Sequence, residues 1–196
     1  MDTLEAIKTR RSIRKYKPIP VPDDVLTQVL EAARWAPSWA NTQCWRFIIV
    51  HNDSTKAELA AALATNNPAT NAIKSAPIVI VACAELKKSG YYHGEAITVK
   101  GDWHMFDIGI AMQNLMLAAH AFGLGTVHVG NFPDSKKVEA ILGVPEGFTA
   151  VEMTPLGYPD GEARTPPRKE LSEFVFNEKF GNKKNTNQTS PTSVPA

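Results

Sequence analysis

The sequence predicts an α+β domain, and three observations carry that expectation. The run Ile78-Val79-Ile80-Val81-Ala82-Cys83-Ala84 is continuously apolar and short, the pattern of a central strand covered on both faces. Two further runs, residues 45–50 and 148–153, carry the β-branched and aromatic residues of companion strands. Between such runs the apolar residues recur at helical spacing, as at Val25, Leu26, Val29, Leu30 and Ala33, so helices must alternate with strands.

Taken in order, residues 3–8 form a short amphipathic opening, and Lys17-Pro18-Ile19-Pro20 cannot be helical. Pro22, Asp23 and Asp24 read as the first turn of a helix reaching about Trp35, ended by Pro37. A polar loop, residues 38–43, then leads into the strand at Trp45. Thr55 with Glu58 predicts a capping box opening an Ala- and Leu-rich helix to about Ala64. After Thr65-Asn66-Asn67-Pro68 a short helix runs to Lys74. Residues 85–101 lose all periodicity and read as a long connection able to cover a site. Asp102 is expected to cap the next helix, which is apolar nearly all round from Trp103 to Leu117 and stops at Gly123; such a helix is buried in the core or against a second subunit. Residues 126–129 read as a strand, 135–142 as a helix closed by Gly143, and 157–161 as a turn. Phe174-Val175-Phe176 reads as an edge strand or a docking arm. Residues 1–181 therefore form the expected domain, and 182–196, almost without apolar groups, a disordered polar tail.

Composition limits the partners. A formal net charge of +1 provides no general attraction for nucleic acid or an acidic membrane, and no apolar run approaches the ~20 residues that span a bilayer. Cys44 and Cys83 stand far apart without a CxxC, which fits reduced thiols acting as small hydrophobes. With no apolar leader at Met1, the expected location is cytoplasmic. GxGxxG, GxxxxGK[ST], HExxH and GxSxG are all missing from the sequence. His128 reads as a satisfied core or cleft residue rather than a ligand.

Against that background Arg10-Arg11-Ser12-Ile13-Arg14 stands out. Its guanidiniums are planar forks suited to phosphate oxygens, and in an extended segment Arg10, Ser12 and Arg14 share one side. The blander reading is that the arginine pair stabilises the C-terminus of the preceding helix.

Together with residues 36–47 (Ala-Pro-Ser-Trp-Ala-Asn-Thr-Gln-Cys-Trp-Arg-Phe), Gly123-Leu124-Gly125-Thr126, Gly130-Asn131-Phe132, Leu156-Gly157-Tyr158-Pro159 and Pro166-Pro167-Arg168-Lys169, this segment resembles the flavin-binding nitroreductase family over nearly the whole chain. The resemblance implies a three-layer sandwich with a central mixed sheet flanked by helices, interlocked as a homodimer with FMN at the subunit interface. It implies hydride transfer from NADH or NADPH through flavin N5 to a small electron-poor acceptor such as a nitroaromatic, a quinone or another flavin. No side chain is needed as catalytic acid or base. Arg10, Arg11 and Ser12 match phosphate and ribityl contacts, and Arg14 the cation near the flavin N1 and O2 edge. Pro37, Ser38, Trp39 and Asn41 match contacts from the second subunit, Gly130 and Asn131 the N–H that meets N5, and Arg168 or Lys169 a carboxy-terminal phosphate partner. Asn67, Asn71 and Lys74 are candidates for the ribityl chain, and Trp39, Tyr91, Tyr92 and Trp103 for the acceptor pocket, Trp103 being equally readable as core. The family also contains dehalogenases and a flavin-fragmenting enzyme. A non-catalytic flavin or nucleotide sensor built on the same arginines is the non-enzymatic alternative.

Overall fold

In the computed structural model of the chain, which describes residues 1–130 and 132–183, β2 (Ile78–Glu85) is the middle strand of a three-stranded antiparallel sheet. β1 (Trp45–Val50) pairs with one edge of it, Trp45 opposite Ala84 and Val50 opposite Val79. β5 (Phe148–Leu156) pairs with the other, with one irregularity between Ala82 and Cys83. Successive side chains of a strand point to opposite faces. Ile78, Ile80, Ala82 and Ala84 accordingly join an apolar cluster with Val29, Met112 and Leu115, while Val79, Val81 and Cys83 join a second cluster with Leu59, Ile73 and Val138. Each fully buried aliphatic of this strand contributes roughly 1.5–3 kcal/mol. The result is three layers. α2 (Asp23–Arg34) and α5 (His104–Ala121) cover one face, and α3 (Asp53–Ala61), α4 (Thr70–Ser75) and α6 (Ser135–Leu142) the other.

Several expectations change in detail. Residues 126–129 do not form a continuous strand. Gly125 bridges Gly157 and Val129 bridges Met153, but in between the Val127 N–H goes to the Thr154 hydroxyl (3.2 Å) and the Thr126 carbonyl to Ile13. A side chain replaces the ladder partner, and the freed carbonyl serves the arginine segment. The parallel bridge of Ser12 to Thr126 there makes the strand pairing mixed. α3 begins two residues before Thr55: Asn52 is the cap, its side chain accepting from Thr55 N (3.1 Å), so Thr55 with Glu58 is not a capping box. Trp103, not Asp102, occupies the cap of α5, although Asp102 accepts the His104 N–H (3.0 Å). Within 85–101 a hairpin appears, β3 (Tyr91–Tyr92) against β4 (Glu95–Ala96). Its turn residues His93 and Gly94 both have left-handed φ (49° and 83°), as a tight two-residue hairpin turn requires.

Residues Met1–Arg164 form one compact unit and the chain from Thr165 a second. In the second, Leu171–Glu173 make a 3-10 turn with a reciprocal cap between Glu170 and Glu173, and Phe176 stacks on Phe180 at 4.7 Å. Residues 174–176 are not a strand. Of the expected tail, 184–196 lie outside the described residues; Asn182 closes a turn by accepting the Asn177 N–H (2.8 Å).

Candidate functional site

α1 (Thr3–Thr9), capped by the Asp2 side chain on Glu5 N, ends where Arg10 turns extended (φ −54°, ψ 132°). Arg11 Nη1 donates to the carbonyls of Lys8 (2.7 Å) and Arg10 (2.8 Å), so the helix-capping reading of the arginine pair holds for that side chain. The segment beyond is pinned along its length: Ile13 N to Thr126 O (2.9 Å), Lys17 N to Tyr158 O (2.9 Å) and Asp160 N to Lys15 O (3.0 Å). Tyr16 is buried and its hydroxyl donates to Ile13 O (2.7 Å); burial raises its pKa, with Arg14 pulling the other way. Gly125 allows this close approach, because a Cβ there would sit 2.6 Å from Ile13 Cγ1. Arg10, Ser12 and Arg14 thus lie on a backbone held from both ends.

α4 packs beside this segment, Ala72 and Ala76 clustering with Ile13 and Tyr16. Its C-terminus is closed by Lys56, a buried ammonium that donates to Ala76 O (2.7 Å) and pairs with Asp53 (2.9 Å). Asn71 and Lys74 are on the exposed side of α4, three residues apart and so on one face. Asn67 is different: its side-chain oxygen accepts the Ala69 N–H (2.9 Å) in a local turn. Gly130 follows the Val129–Met153 bridge, and Asn131 lies outside the described residues.

The other predicted groups collect around the N-terminal end of α5. Trp39, Ala40 and Asn41 form a short 3-10 turn in which Ser38 Oγ accepts the Gln43 N–H (3.0 Å) and Asn41 Oδ1 accepts from Gln43 Nε2 (3.1 Å). The Trp39 N–H donates to Asp107 Oδ1 (3.0 Å). Tyr91 and Tyr92 are on the hairpin, whose base is tied down by Lys87 N to Asp102 Oδ2 (2.6 Å) and Trp103 N to Ser89 O (3.0 Å). Trp103 serves the connection itself: its indole N–H donates to Thr98 (2.9 Å), Phe106 meets it edge-on, and a Cβ on Gly90 would fall 2.4 Å from its Cδ1. Tyr92 is exposed and packs on His93.

The arginine segment lies at the opposite end of the same helix. His120 Nε2 is 2.8 Å from Thr9 Oγ1, and burial, followed by the Arg10 and Arg11 charges, lowers its pKa. Asp107 and His120 are thirteen residues apart on α5, about 20 Å at 1.5 Å per residue. One chain therefore keeps the Trp39 loop and the arginines well separated. Arg168 and Lys169 belong to the second unit, just before its 3-10 turn, with Arg168 Nη1 3.5 Å from Pro166 O. His128 is satisfied by Glu152 (2.6 Å), but it is exposed rather than in the core. Asp102 and Asp107 were not among the candidate site residues of the sequence, and for Asp107 a lone carboxylate within the apolar run 105–112 was the available signal.

Three comparisons bear on this arrangement. Residues 7–158 match the family model described as "Nitroreductase family". A protein of Methanothermobacter thermautotrophicus named putative NADH dehydrogenase/NAD(P)H nitroreductase is 38% identical, over 87% of this chain and 83% of its own length. The NADPH-flavin oxidoreductase of Vibrio harveyi is 30% identical over 85% of this chain and 70% of its own. Among solved structures, a nitroreductase family protein of Clostridium novyi superposes with a TM-score of 0.72 at 32% identity, covering 93% of this chain and 97% of the other. With sequence and fold agreeing over most of its length, the chain belongs to the nitroreductase family.

Proposed function

We propose that the chain is an FMN-dependent NAD(P)H oxidoreductase acting as a homodimer on a small electron-poor acceptor. The observation that carries this reading is the pinned segment 10–14 with α4 against it: Arg10 and Arg14, the Ser12 hydroxyl, the Asn71 carboxamide and Lys74 are the donors that a phosphate monoester and a polyol chain call for. Arg10 would hold the phosphate, Ser12, Asn71 and Lys74 the ribityl chain, and Gly130 N–H the N5 edge. Of the three ribityl candidates, Asn71 and Lys74 are favoured, since the Asn67 oxygen is already engaged. FMN, when bound, supplies two-electron hydride transfer; the chain binds and orients it, and Arg14 biases its potential.

The distance along α5 supports the dimer. Loop 37–41 cannot reach a ligand held at its own arginines some 20 Å away, yet a second chain can bring its own loop there. Met105 and Phe106 on α5 are 61% and 58% exposed, apolar surface of the kind a partner covers. Obligate interfaces bury upwards of ~2,000 Å². Among the described residues no helix is long and apolar enough to cross a membrane.

Purified protein should be yellow and should lose its flavin absorbance anaerobically on addition of NADH or NADPH. A colourless protein that takes up no FMN overturns the proposal, and a flavoprotein bleached by neither nucleotide overturns its enzymatic part.

A further inference from the structure

We infer that Asp107 is a positioning residue that builds the loop 37–43 in its ligand-ready shape before any ligand arrives. The inference rests on the reading above that Trp39 and Asn41 face a flavin. Asp107 is fully buried, although every other buried residue of α5 is apolar. A carboxylate in such a place is costly unless hydrogen-bonded. Among the described residues, its side-chain bonding partners all come from one short stretch: the Trp39 N–H on Oδ1 at 3.0 Å, and the Thr42 hydroxyl and Cys44 thiol on Oδ2 at 3.5 and 3.7 Å.

Those three donors straddle a strained backbone. Ala40, Asn41 and Gln43 have φ of 43°, 55° and 46°, in the left-handed region that L side chains avoid. Non-glycine residues stay there only when their surroundings over-determine them. Asp107 supplies that constraint from α5, and Ser38 Oγ supplies a second from within the loop. The first turn of α5 favours the carboxylate through the helix dipole. Cys44 remains a donor at neutral pH, because burial and then Asp107 itself push its thiol up to about 12. The loop is therefore fixed from a rigid helix, and the ordering it would otherwise undergo on binding has already occurred.

A buried carboxylate could instead serve general stability only. Glu139 is the control: it is also buried and accepts from Thr149 Oγ1 (2.9 Å) and Ala150 N (3.2 Å) in the layer on the opposite face of the sheet, but it pairs in addition with Lys136 Nζ (2.8 Å) and touches no part of the loop 37–43. The experiment measures FMN dissociation constants of the intact protein well below its melting temperature, and hydrogen exchange of the Trp39 amide. Asp107→Leu should raise the FMN Kd at least about tenfold, whereas Asp107→Asn, which retains one acceptor oxygen, should raise it by about threefold. Glu139→Gln should leave it unchanged. The Trp39 amide should exchange about tenfold faster in Asp107→Asn than in wild type, a readout that needs neither FMN nor a folded leucine variant. Wild-type exchange in Asp107→Asn overturns the inference, as does a Glu139→Gln effect on Kd equal to that of Asp107→Leu. Wild-type protein that binds no FMN overturns the functional reading instead, and the exchange data then still decide whether Asp107 holds the loop.

Discussion

At its C-terminal end α5 carries His120, close to Arg10 and Arg11; at its N-terminal end it carries Asp107 and is preceded by Asp102. The two guanidiniums at the negative end and the carboxylates at the positive end each match the helix dipole, while His120 near the guanidiniums is held toward its neutral form. The consequences differ. An anion near Arg10 would be held by side-chain cations against the sense of that dipole, so its affinity should depend on each guanidinium and on ionic strength. The N-terminal end has no cationic side chain bonded to Asp107 among the described residues, and its carboxylates shape backbone instead: Asp107 the Trp39 loop, Asp102 the base of the hairpin connection. On the proposed function, one end binds charge and the other holds walls in place.

If that division is right, Arg10→Ala should have the largest effect. Loss of one charged hydrogen-bonding group of about 1.5–3 kcal/mol predicts a roughly 10- to 150-fold rise in FMN Kd, read by fluorescence titration. Oxidised and reduced flavin should be affected alike, because the phosphate charge does not change on reduction. Arg14→Ala breaks the symmetry within the same segment. A cation near the N1 and O2 edge favours the reduced cofactor, so the same 1.5–3 kcal/mol should appear chiefly as a drop of some tens of millivolts in the two-electron potential, at about 30 mV per 1.4 kcal/mol. A wild-type potential with weaker binding would make Arg14 one more phosphate anchor.

Two glycines sharpen the comparison next. Gly125→Ala would press a methyl onto Ile13 and displace the arginine backbone, with an expected loss of about 1–3 kcal/mol in stability by denaturant titration and a weaker FMN affinity. Gly130→Ala, whose Cβ meets nothing nearer than 3.7 Å, should fold normally. Equal losses would mean that contact with Ile13 is not what fixes the segment. At the other end, Tyr91→Ala and Tyr92→Ala should alter KM for aromatic acceptors with no change in FMN Kd; unchanged kinetics across an acceptor panel would make the hairpin a bystander.

The smallest effect is the titration of His120. Burial and the neighbouring guanidiniums favour its neutral form, so its pKa in the folded chain lies below the ordinary 6.5. As pH falls the unfolded chain takes up the proton first, and the stabilisation present above pH 6.5 is lost as pH drops through the folded value. Melting temperatures between pH 7.5 and 5 should show this extra slope in wild type and less of it in His120→Gln.

Sequence by itself determined the layers of this protein and singled out residues 10–14 as the candidate segment for an anion. Periodicity of two across Ile78–Ala84 assigns alternate residues to opposite cores whatever their neighbours turn out to be, and three guanidiniums in five residues announce an anion without any fold. Tertiary structure decided the matters that depend on what lies across the chain. Thr126 spends its carbonyl on Ile13 rather than on a strand ladder, Arg11 turns back to its own helix, and Trp103 is consumed in holding the hairpin connection. Asp107 makes the point most clearly. On α5 it reads as one polar residue in an apolar run, and its meaning comes only from three donors that lie more than sixty residues earlier. A hydrogen bond needs both partners within about 3 Å in the right orientation, and sequence spacing constrains that only between near neighbours.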